Sequence, residues 1–256
     1  MKIVLLGSGN VATHLGRSFK MAGQDIVQVY SRELENAYHL ADSLAAEAVE
    51  KLEDITSTAD LYIIAVKDDA IREVAAGLSL TDQLVIHTSG TTDMNILDGI
   101  SDRIGVFYPL QTFSKSKAVD FRQIPIAIEG NTEEVTSTLK GIADRLSEKV
   151  IELNSLERRT LHIAAVFASN FSNHMYALAS RLLKTQNLSF DVLRPLILET
   201  ALKVQTNDPA DMQTGPAVRK DYNTLEKQKE LLLQDESTLE LYEKISQSII
   251  NYDKQG

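Results

Sequence analysis

The sequence predicts an α/β protein in which a mostly parallel sheet is followed by an all-α region. From residue 2 to about residue 153, short runs rich in Val and Ile alternate with helical patterns, as they do in βαβ units. After Leu153 the apolar residues keep the helical period and indicate no further strand. We therefore expect two domains, residues 1–153 and residues 154–256.

Seven segments are predicted to be strands because each is short, apolar and bounded by polar or turn residues. A helix between the first two strands is indicated by Val11, Leu15 and Phe19, which lie on one helical face. Asn131 with Glu134 has the spacing of a capping box and predicts the start of the helix before the last strand. The strands are KIVLL (2–6), DIVQVY (25–30), LYIIAV (61–66), QLVIHT (83–88), RIGVF (103–107), IPIAI (124–128) and KVIEL (149–153).

The second half is predicted to be helical from one clear start signal and from its periodicity. Asn154 with Glu157 forms a capping box, and the helix that it opens is expected to run to about Lys184. Three later segments repeat the helical period: residues 187–205, 219–234 and 237–252.

Composition favours a protein that acts on small molecules. A net charge of −10 over 256 residues argues against a nucleic-acid or anionic-membrane partner, because both attract concentrated Lys and Arg. The sequence has no Cys, which excludes disulfides, thiolate metal sites and Cys nucleophiles, and we expect no metal. No apolar run approaches the roughly 18 residues of a membrane helix. A cytoplasmic location is expected.

The segment GSGNVA, residues 7–12, joins the first strand to the first helix and predicts a dinucleotide site. Gly7 permits a sharp turn, Gly9 lets a pyrophosphate approach the backbone, and Ala12 keeps the helix close to the strand. The N–H groups at the start of the helix would bind the phosphates. A plain turn is the alternative interpretation. A Rossmann-type domain is therefore expected, and its candidate cofactor loop is completed by Ser8, Asn10 and Val11.

The end of the second strand favours NADP over NAD. NAD sites usually place a carboxylate there for the ribose 2′-hydroxyl, whereas NADP sites need a cation for the 2′-phosphate. This strand ends with Ser31 and Arg32, a hydroxyl and a guanidinium that suit a phosphate, although Glu33 follows. The alternative is that Arg32 is an ordinary exposed charge.

Two more strands end at the same edge of the sheet and supply further candidates. Val66 and Lys67 are expected to line the cofactor. Ser89, with Gly90, is expected to reach the nicotinamide end and to orient a substrate.

The segment FYPLQTFS, residues 107–114, follows another strand at this edge. Tyr108 and Gln111 are expected to overhang the cofactor and to contact a substrate. The alternative is a turn directed by its proline.

Residues 157–183 combine an apolar face, expected in a core or a subunit interface, with a polar stripe. At 100° per residue, His162, Ser169 and Asn173 fall in one line, with Asn170 at its edge. Such a stripe predicts the wall of a substrate cleft, with His162 as the proton donor and Asn170 or Asn173 as a hydrogen-bonding partner. The alternative for His162 is a purely structural histidine.

Seven motifs carry a resemblance that spans nearly the whole chain: GSGNVATHL, VYSR, AVKDDAI, HTSG, YPLQTFS, HIAAVFASNF and TGPAVRKD. With them the chain resembles an uncharacterised bacterial family that joins an NADP-oxidoreductase-like Rossmann domain to a helical domain of unknown function, DUF2520. It is more distantly similar to pyrroline-5-carboxylate reductase, to deazaflavin-dependent NADP oxidoreductases and to the 6-phosphogluconate dehydrogenase superfamily. The resemblance implies a homodimer built on the helical domain and an active site between the two domains.

Two positions depart from the related patterns. The β-hydroxyacid dehydrogenases of that superfamily have a catalytic lysine four residues before an asparagine, and here Val166 stands four residues before Asn170. Tyr108 stands where members of the family often carry a histidine. A hydroxyacid oxidation by the lysine mechanism is therefore not expected.

Together these patterns predict an NADP-dependent oxidoreductase that reduces a small C=O or C=N substrate. His162 would act as the acid, and Asn170 or Ser89 would orient the substrate. Two alternatives stay open: an NADP(H)-binding sensor or scaffold without catalytic activity, and a structural helical dimer with a vestigial nucleotide site.

Overall fold

An eight-stranded sheet occupies the first part of the computed structural model, which describes residues 1–252. Residues 253–256, the last four of the predicted second domain, lie outside the described residues. The strand order is β3-β2-β1-β4-β5-β6-β7-β8, and every neighbouring pair is parallel except β6 with β7. The predicted mostly parallel α/β architecture is therefore confirmed. The strands are β1 Lys2–Leu6, β2 Asp25–Tyr30, β3 Glu47–Val49, β4 Leu61–Ile64, β5 Leu84–His87, β6 Arg103–Pro109, β7 Ile126–Gly130 and β8 Val150–Glu152.

The strands differ from the prediction by one added strand, β3, and by the bounds of several others, among them the start of β7. β3 was not expected, because three residues at the edge of the sheet, Glu-Ala-Val, make no apolar run. β7 begins at Ile126 rather than at Ile124. Pro125 lies between these residues and has no N–H group to donate to a neighbouring strand.

Nine α-helices accompany the sheet in residues 1–252, and a π-helical segment, Val166–Phe171, separates two of them. The segment predicted as one helix, from residue 154 to about residue 184, is helical throughout. Its hydrogen bonds change from α-type to π-type in the middle and then back to α-type. The helices are α1 Asn10–Met21, α2 Leu34–Leu44, α3 Ile71–Ala76, α4 Glu133–Ala143, α5 Ser155–Ala165, α6 Ser172–Thr185, α7 Arg194–Lys203, α8 Tyr222–Glu230 and α9 Glu236–Asn251.

One predicted cap is confirmed and one is wrong. The side chain of Asn154 accepts from the N–H of Glu157, and the Glu157 carboxylate accepts from the N–H of Asn154, which completes the capping box of α5. The cap of α4 is Thr132, not Asn131. The Asn131 side chain instead accepts from the N–H of Ile104 in β6, so it joins this loop to the sheet.

Both faces of the sheet are covered by apolar side chains. In β1, Ile3 and Leu5 belong to a buried cluster that includes residues of α1, α2 and α4. Val4 and Leu6 belong to a second cluster that includes residues of α3. This alternation follows from the two-residue period of a strand, and it leaves the carboxyl edge of the sheet free to bind a ligand.

The chain divides into two compact units, one of Met1–Asn170 and one that starts at Phe171. The first unit contains the sheet, α1 to α5 and most of the π-helical segment. The second contains α6 to α9. Within residues 1–252, no helix combines the length and apolar character that crossing a membrane requires.

Candidate active site

A cleft of about 790 Å³ opens at the carboxyl ends of the strands in the first unit. The strand order reverses between β1 and β4, and open α/β sheets bind ligands at such a switch point. Every residue predicted to bind the cofactor lines this cleft. Its lining includes Gly7–Val11, Tyr30–Glu33, Asn36, Ala65–Asp68, Ala70, Thr88–Gly90, Tyr108 and His162.

Gly7 makes the turn between β1 and α1. Its φ is +126°, in the region that side chains avoid. A Cβ atom there would stand 2.3 Å from the carbonyl oxygen of Ala65, just beyond β4. The N–H of Gly7 also donates to the carbonyl of Tyr30 at the end of β2. Only glycine can therefore hold the three strand ends this close together.

Gly9 presents the start of α1 to the cleft. It occupies the N-cap position, and no side chain caps the helix, so the first N–H groups keep their capacity to bind a ligand. A Cβ atom on Gly9 would meet no atom within 4 Å, which means that the space before it is open. Ala12 is fully buried against the sheet. The loop therefore fits a dinucleotide diphosphate.

The end of β2 presents a cation to the cleft. Arg32 is exposed and forms no salt bridge within residues 1–252. The carboxylate of Glu33, which would repel a phosphate, accepts a hydrogen bond of 2.7 Å from the side-chain amide of Asn36. Ser31 is half-buried beside Arg32. These groups fit a ribose 2′-phosphate better than a free ribose hydroxyl.

Asn10 connects the cofactor loop to the segment after β6. Its side-chain amide donates to the carbonyl of Phe113 over 2.9 Å. His14, one turn further along α1, stacks on the Phe113 ring and lies 2.9 Å from the carbonyl of Ser114. The loop that carries Gln111 is thereby held against the start of α1.

The turn after β5 places Ser89 and Gly90 beside the predicted acid. The Ser89 hydroxyl accepts from the N–H groups of Thr91 and Thr92, so it is engaged within its own turn. A Cβ atom on Gly90 would stand 2.5 Å from Nδ1 of His162. Gly90 therefore provides the room in which this imidazole lies against the sheet edge.

Tyr108 and His162 form a hydrogen-bonded pair in the cleft. The Tyr108 hydroxyl lies 2.9 Å from Nδ1 of His162. Burial raises the pKa of Tyr108, while the nearby charge of Arg158 lowers it and that of Asp68 raises it. The phenol is therefore protonated at neutral pH and is able to donate a hydrogen bond.

A second cavity, of about 660 Å³, also has Tyr108 and His162 in its lining. Besides this pair, three of the predicted substrate or catalytic residues line it: Gln111, Ser169 and Asn170. All residues around both cavities belong to the first compact unit. The structure thus brings the predicted cofactor residues and most of the predicted substrate residues to two cavities that share one pair of side chains.

Asn173 lines neither cavity and belongs to the second unit. Its predicted alignment with His162 and Ser169 assumed 100° per residue throughout. The π-helical segment between them has wider turns, which rotate the residues that follow relative to an ideal α-helix. Of the two predicted asparagines, Asn170 lines the second cavity.

Arg158 is a buried residue that the sequence did not single out. Its side chain is 1% exposed, and its guanidinium donates to the carbonyl of Thr92 and pairs with Glu129 at 3.1 Å. Burial lowers the pKa of Arg158, while Glu129 raises it. Because Arg158 precedes His162 by four residues, both lie on one face of α5. This four-residue spacing from His162 was the only feature of the sequence that could have pointed to Arg158.

Two family models match the chain. Residues 2–90 match the family described as NADP oxidoreductase, coenzyme F420-dependent. Residues 124–249 match the domain of unknown function DUF2520. No protein with a curated description matches the chain significantly.

Solved structures resemble the chain over almost its whole length. BF3122 from Bacteroides fragilis, provisionally described as an NADP oxidoreductase, is 44% identical, with a TM-score of 0.89 and 98% of each chain covered. A 1-pyrroline-5-carboxylate reductase from Streptococcus pyogenes is 15% identical, with a TM-score of 0.65 and coverage of 98% of this chain and 99% of that one.

A reductive aminase from Aspergillus terreus, solved with NADPH and ethyl-5-oxohexanoate, is 14% identical, with a TM-score of 0.71. The match covers 97% of this chain and 93% of that one. This likeness and that to the pyrroline-5-carboxylate reductase are likenesses of fold. The 44% identity with BF3122, together with the two family models, has a further consequence: the chain belongs to the family of NADP oxidoreductases in which a domain of the coenzyme F420-dependent type is followed by a DUF2520 domain.

Proposed function

We propose that the protein is an NADP(H)-dependent reductase of a small C=O or C=N compound. The observation that carries this proposal is a single cleft lined both by the glycine loop with Arg32 and by the pair of Tyr108 and His162. Structures that share the fold include an imine reductase and a reductive aminase, each solved with NADP+ or NADPH, which supports this reaction class.

The residues of the cleft fit NADP(H) in charge and in space. The open approach to Gly9 and the N–H groups of α1 suit the diphosphate, and Arg32 with Ser31 suits the 2′-phosphate. Val66 and Lys67 would line the rest of the nucleotide. The bound cofactor supplies the hydride, and the protein binds, orients and excludes water.

A carbonyl or imine that accepts a hydride also needs a proton on its oxygen or nitrogen. His162 is the proposed donor, because it lines both cavities and its Nδ1 is held by Tyr108. The Tyr108 phenol, which burial keeps protonated, would donate a hydrogen bond to Nδ1 of His162, so that Nε2 carries the proton transferred to the substrate. Asn170 is the proposed orienting residue, since the Ser89 hydroxyl is engaged in its turn.

The proposal is tested by following NADPH oxidation with a panel of ketones, keto acids and cyclic imines. Tyr108→Phe and His162→Gln should each lower kcat by about 100-fold, the usual contribution of a positioned acid, with NADPH affinity unchanged. His174→Gln, at an exposed histidine of the second unit, is the matched control and should keep full activity.

Three outcomes contradict the proposal. NADPH binding without turnover of any compound would favour the sensor or scaffold. Failure to bind NADPH would favour the structural dimer. Unchanged rates in both variants would remove the pair from the mechanism.

We also propose that the protein forms a homodimer through its helical region. In α7, Leu196, Leu198 and Leu202 are each more than half exposed. A helix with apolar side chains on several faces is normally covered by protein. A second copy of the chain would remove this apolar surface from water.

A further inference from the structure

We infer that the second cavity is the substrate site and that it selects an uncharged ketone or imine with an apolar body, excluding carboxylates and phosphates. This inference rests on the proposed function. Tyr108 and His162 line both this cavity and the nucleotide cleft, so a reducible group beside this pair can be reached from the cleft while the rest of the molecule fills the cavity.

The walls of the cavity are mostly apolar. Leu110 and Phe113 contribute from the segment after β6, and Leu161 and Val166 contribute from α5 and the π-helical segment. A volume of about 660 Å³ is in the range of small-molecule sites. An apolar body is therefore stabilised here by removal from water.

Three hydrogen-bonding side chains of the cavity carry no charge. Gln111 and Asn170 offer amides, and Ser169 offers a hydroxyl. Such groups pair with an ester, an amide or a hydroxyl of the substrate, but they supply no formal charge.

Among the residues that the structure describes, no Lys or Arg lines this cavity. A carboxylate that leaves water needs a cation, most often a guanidinium that binds it through two hydrogen bonds. The buried cation of α5, Arg158, lines neither cavity, and its guanidinium already contacts Thr92, Ser155 and Glu129. An acidic substrate would therefore lose its hydration without compensation.

Matched pairs of compounds test this selection. Ethyl 5-oxohexanoate and 5-oxohexanoate differ by one ester, and 2-methyl-1-pyrroline and 1-pyrroline-2-carboxylate compare a methyl group with a carboxylate. Calorimetry on the NADP+-saturated protein should show the uncharged member of each pair binding at least about tenfold more tightly. Equal affinities, tighter binding of the acids, or no binding of either member would overturn the inference.

Moving a cation into the cavity should reverse the preference. Gln111 is exposed at the cavity wall, and Gln111→Arg should raise the affinity for the two acids by at least about fivefold. Gln123→Arg adds the same charge at an exposed position away from the cavity and should change neither affinity. No gain for the acids with Gln111→Arg counts against the assignment of this cavity.

Two further measurements separate this inference from the proposed function. Titration with NADPH alone reports the nucleotide cleft, and turnover of any compound reports the reductase activity. A protein that binds NADPH and reduces the acids as well as the uncharged members would keep the proposed function and lose the inference. A protein that binds the uncharged compounds without reducing them would keep the inference about selection and lose the proposed reductase function.

Discussion

Arg32 is the residue on which the choice of cofactor depends. It faces the cleft without a salt bridge in residues 1–252, while the neighbouring Glu33 is bound to Asn36. Arg32→Ala should weaken NADPH binding about 10-fold to 100-fold and leave NADH binding unchanged, because only NADPH carries the 2′-phosphate. Fluorescence titration measures both affinities. Arg17→Ala, at an exposed arginine of α1, is the control.

The NADP assignment would fail if Arg32→Ala weakened both cofactors equally. It would also fail if the unaltered protein bound NADPH and NADH with the same affinity.

His87, at the end of β5, is a buried histidine whose protonation opposes folding. It is fully buried, and its Nδ1 accepts from the N–H of Ser89. Burial, together with the nearby positive charge of Arg158, lowers its pKa to about 4, while Asp93 and Asp68 oppose part of this shift. The unfolded chain therefore binds this proton at a higher pH than the folded protein does.

The contribution of neutral His87 to the free energy of unfolding is fully present above pH 6.5 and is lost as the pH falls toward 4. The fall in pKa from 6.5 to about 4 corresponds to about 3 kcal/mol. His87→Asn keeps an acceptor for Ser89 but does not titrate in this range, so its free energy of unfolding should vary less between pH 7 and 4. Urea unfolding at a series of pH values measures the difference. Parallel pH profiles for both proteins would rule out this role.

In the strand–loop–helix element at residues 2–21, we expect one glycine to be needed for stability and another for cofactor binding. Gly7→Ala forces a side chain into a left-handed conformation and against the carbonyl of Ala65, and should destabilise the protein by about 2 to 4 kcal/mol. Gly9→Ala meets open space and should change stability by only about 1 kcal/mol. It should still weaken NADPH binding about tenfold or more, since its methyl group points where the diphosphate would lie.

Chemical unfolding of both variants measures the stability changes, and NADPH titration measures the change in cofactor affinity. Normal NADPH affinity in Gly9→Ala would place the diphosphate elsewhere.

The π-helical segment shows where prediction of an element fails. Its helical character, the cap at Asn154 and the candidates His162 and Ser169 followed from residue types and periodicity. The change to π-type hydrogen bonds followed from no local pattern, because residue propensities do not distinguish it from an α-helix. The direction of the residues after it, including Asn173, could therefore not be predicted from a constant 100° per residue.

At the scale of the whole molecule, the exposed apolar residues of α7 predict a dimer. Leu198→Glu combined with Leu202→Glu places two charges one turn apart on this helix and should halve the mass measured by light scattering. Met21→Glu, at an exposed residue of α1, is the control and should leave the mass unchanged. A monomeric unaltered protein would contradict the proposal directly.

The sequence by itself determined the order and type of most elements and the glycine loop at the switch point. These features depend on period, turn residues and caps, which act over a few neighbouring positions. It also predicted that Arg32 lies at a strand end and His162 on a helix face, and both residues line the cleft. These positions are local features of the sequence.

Only the tertiary structure decided which distant residues meet. Tyr108 and His162 are 54 positions apart, Arg158 of α5 pairs with Glu129 of β7, and Gly90 makes room for the His162 ring. Such contacts depend on how strands and helices pack, and packing is set by the shape and volume of the whole core rather than by any short segment.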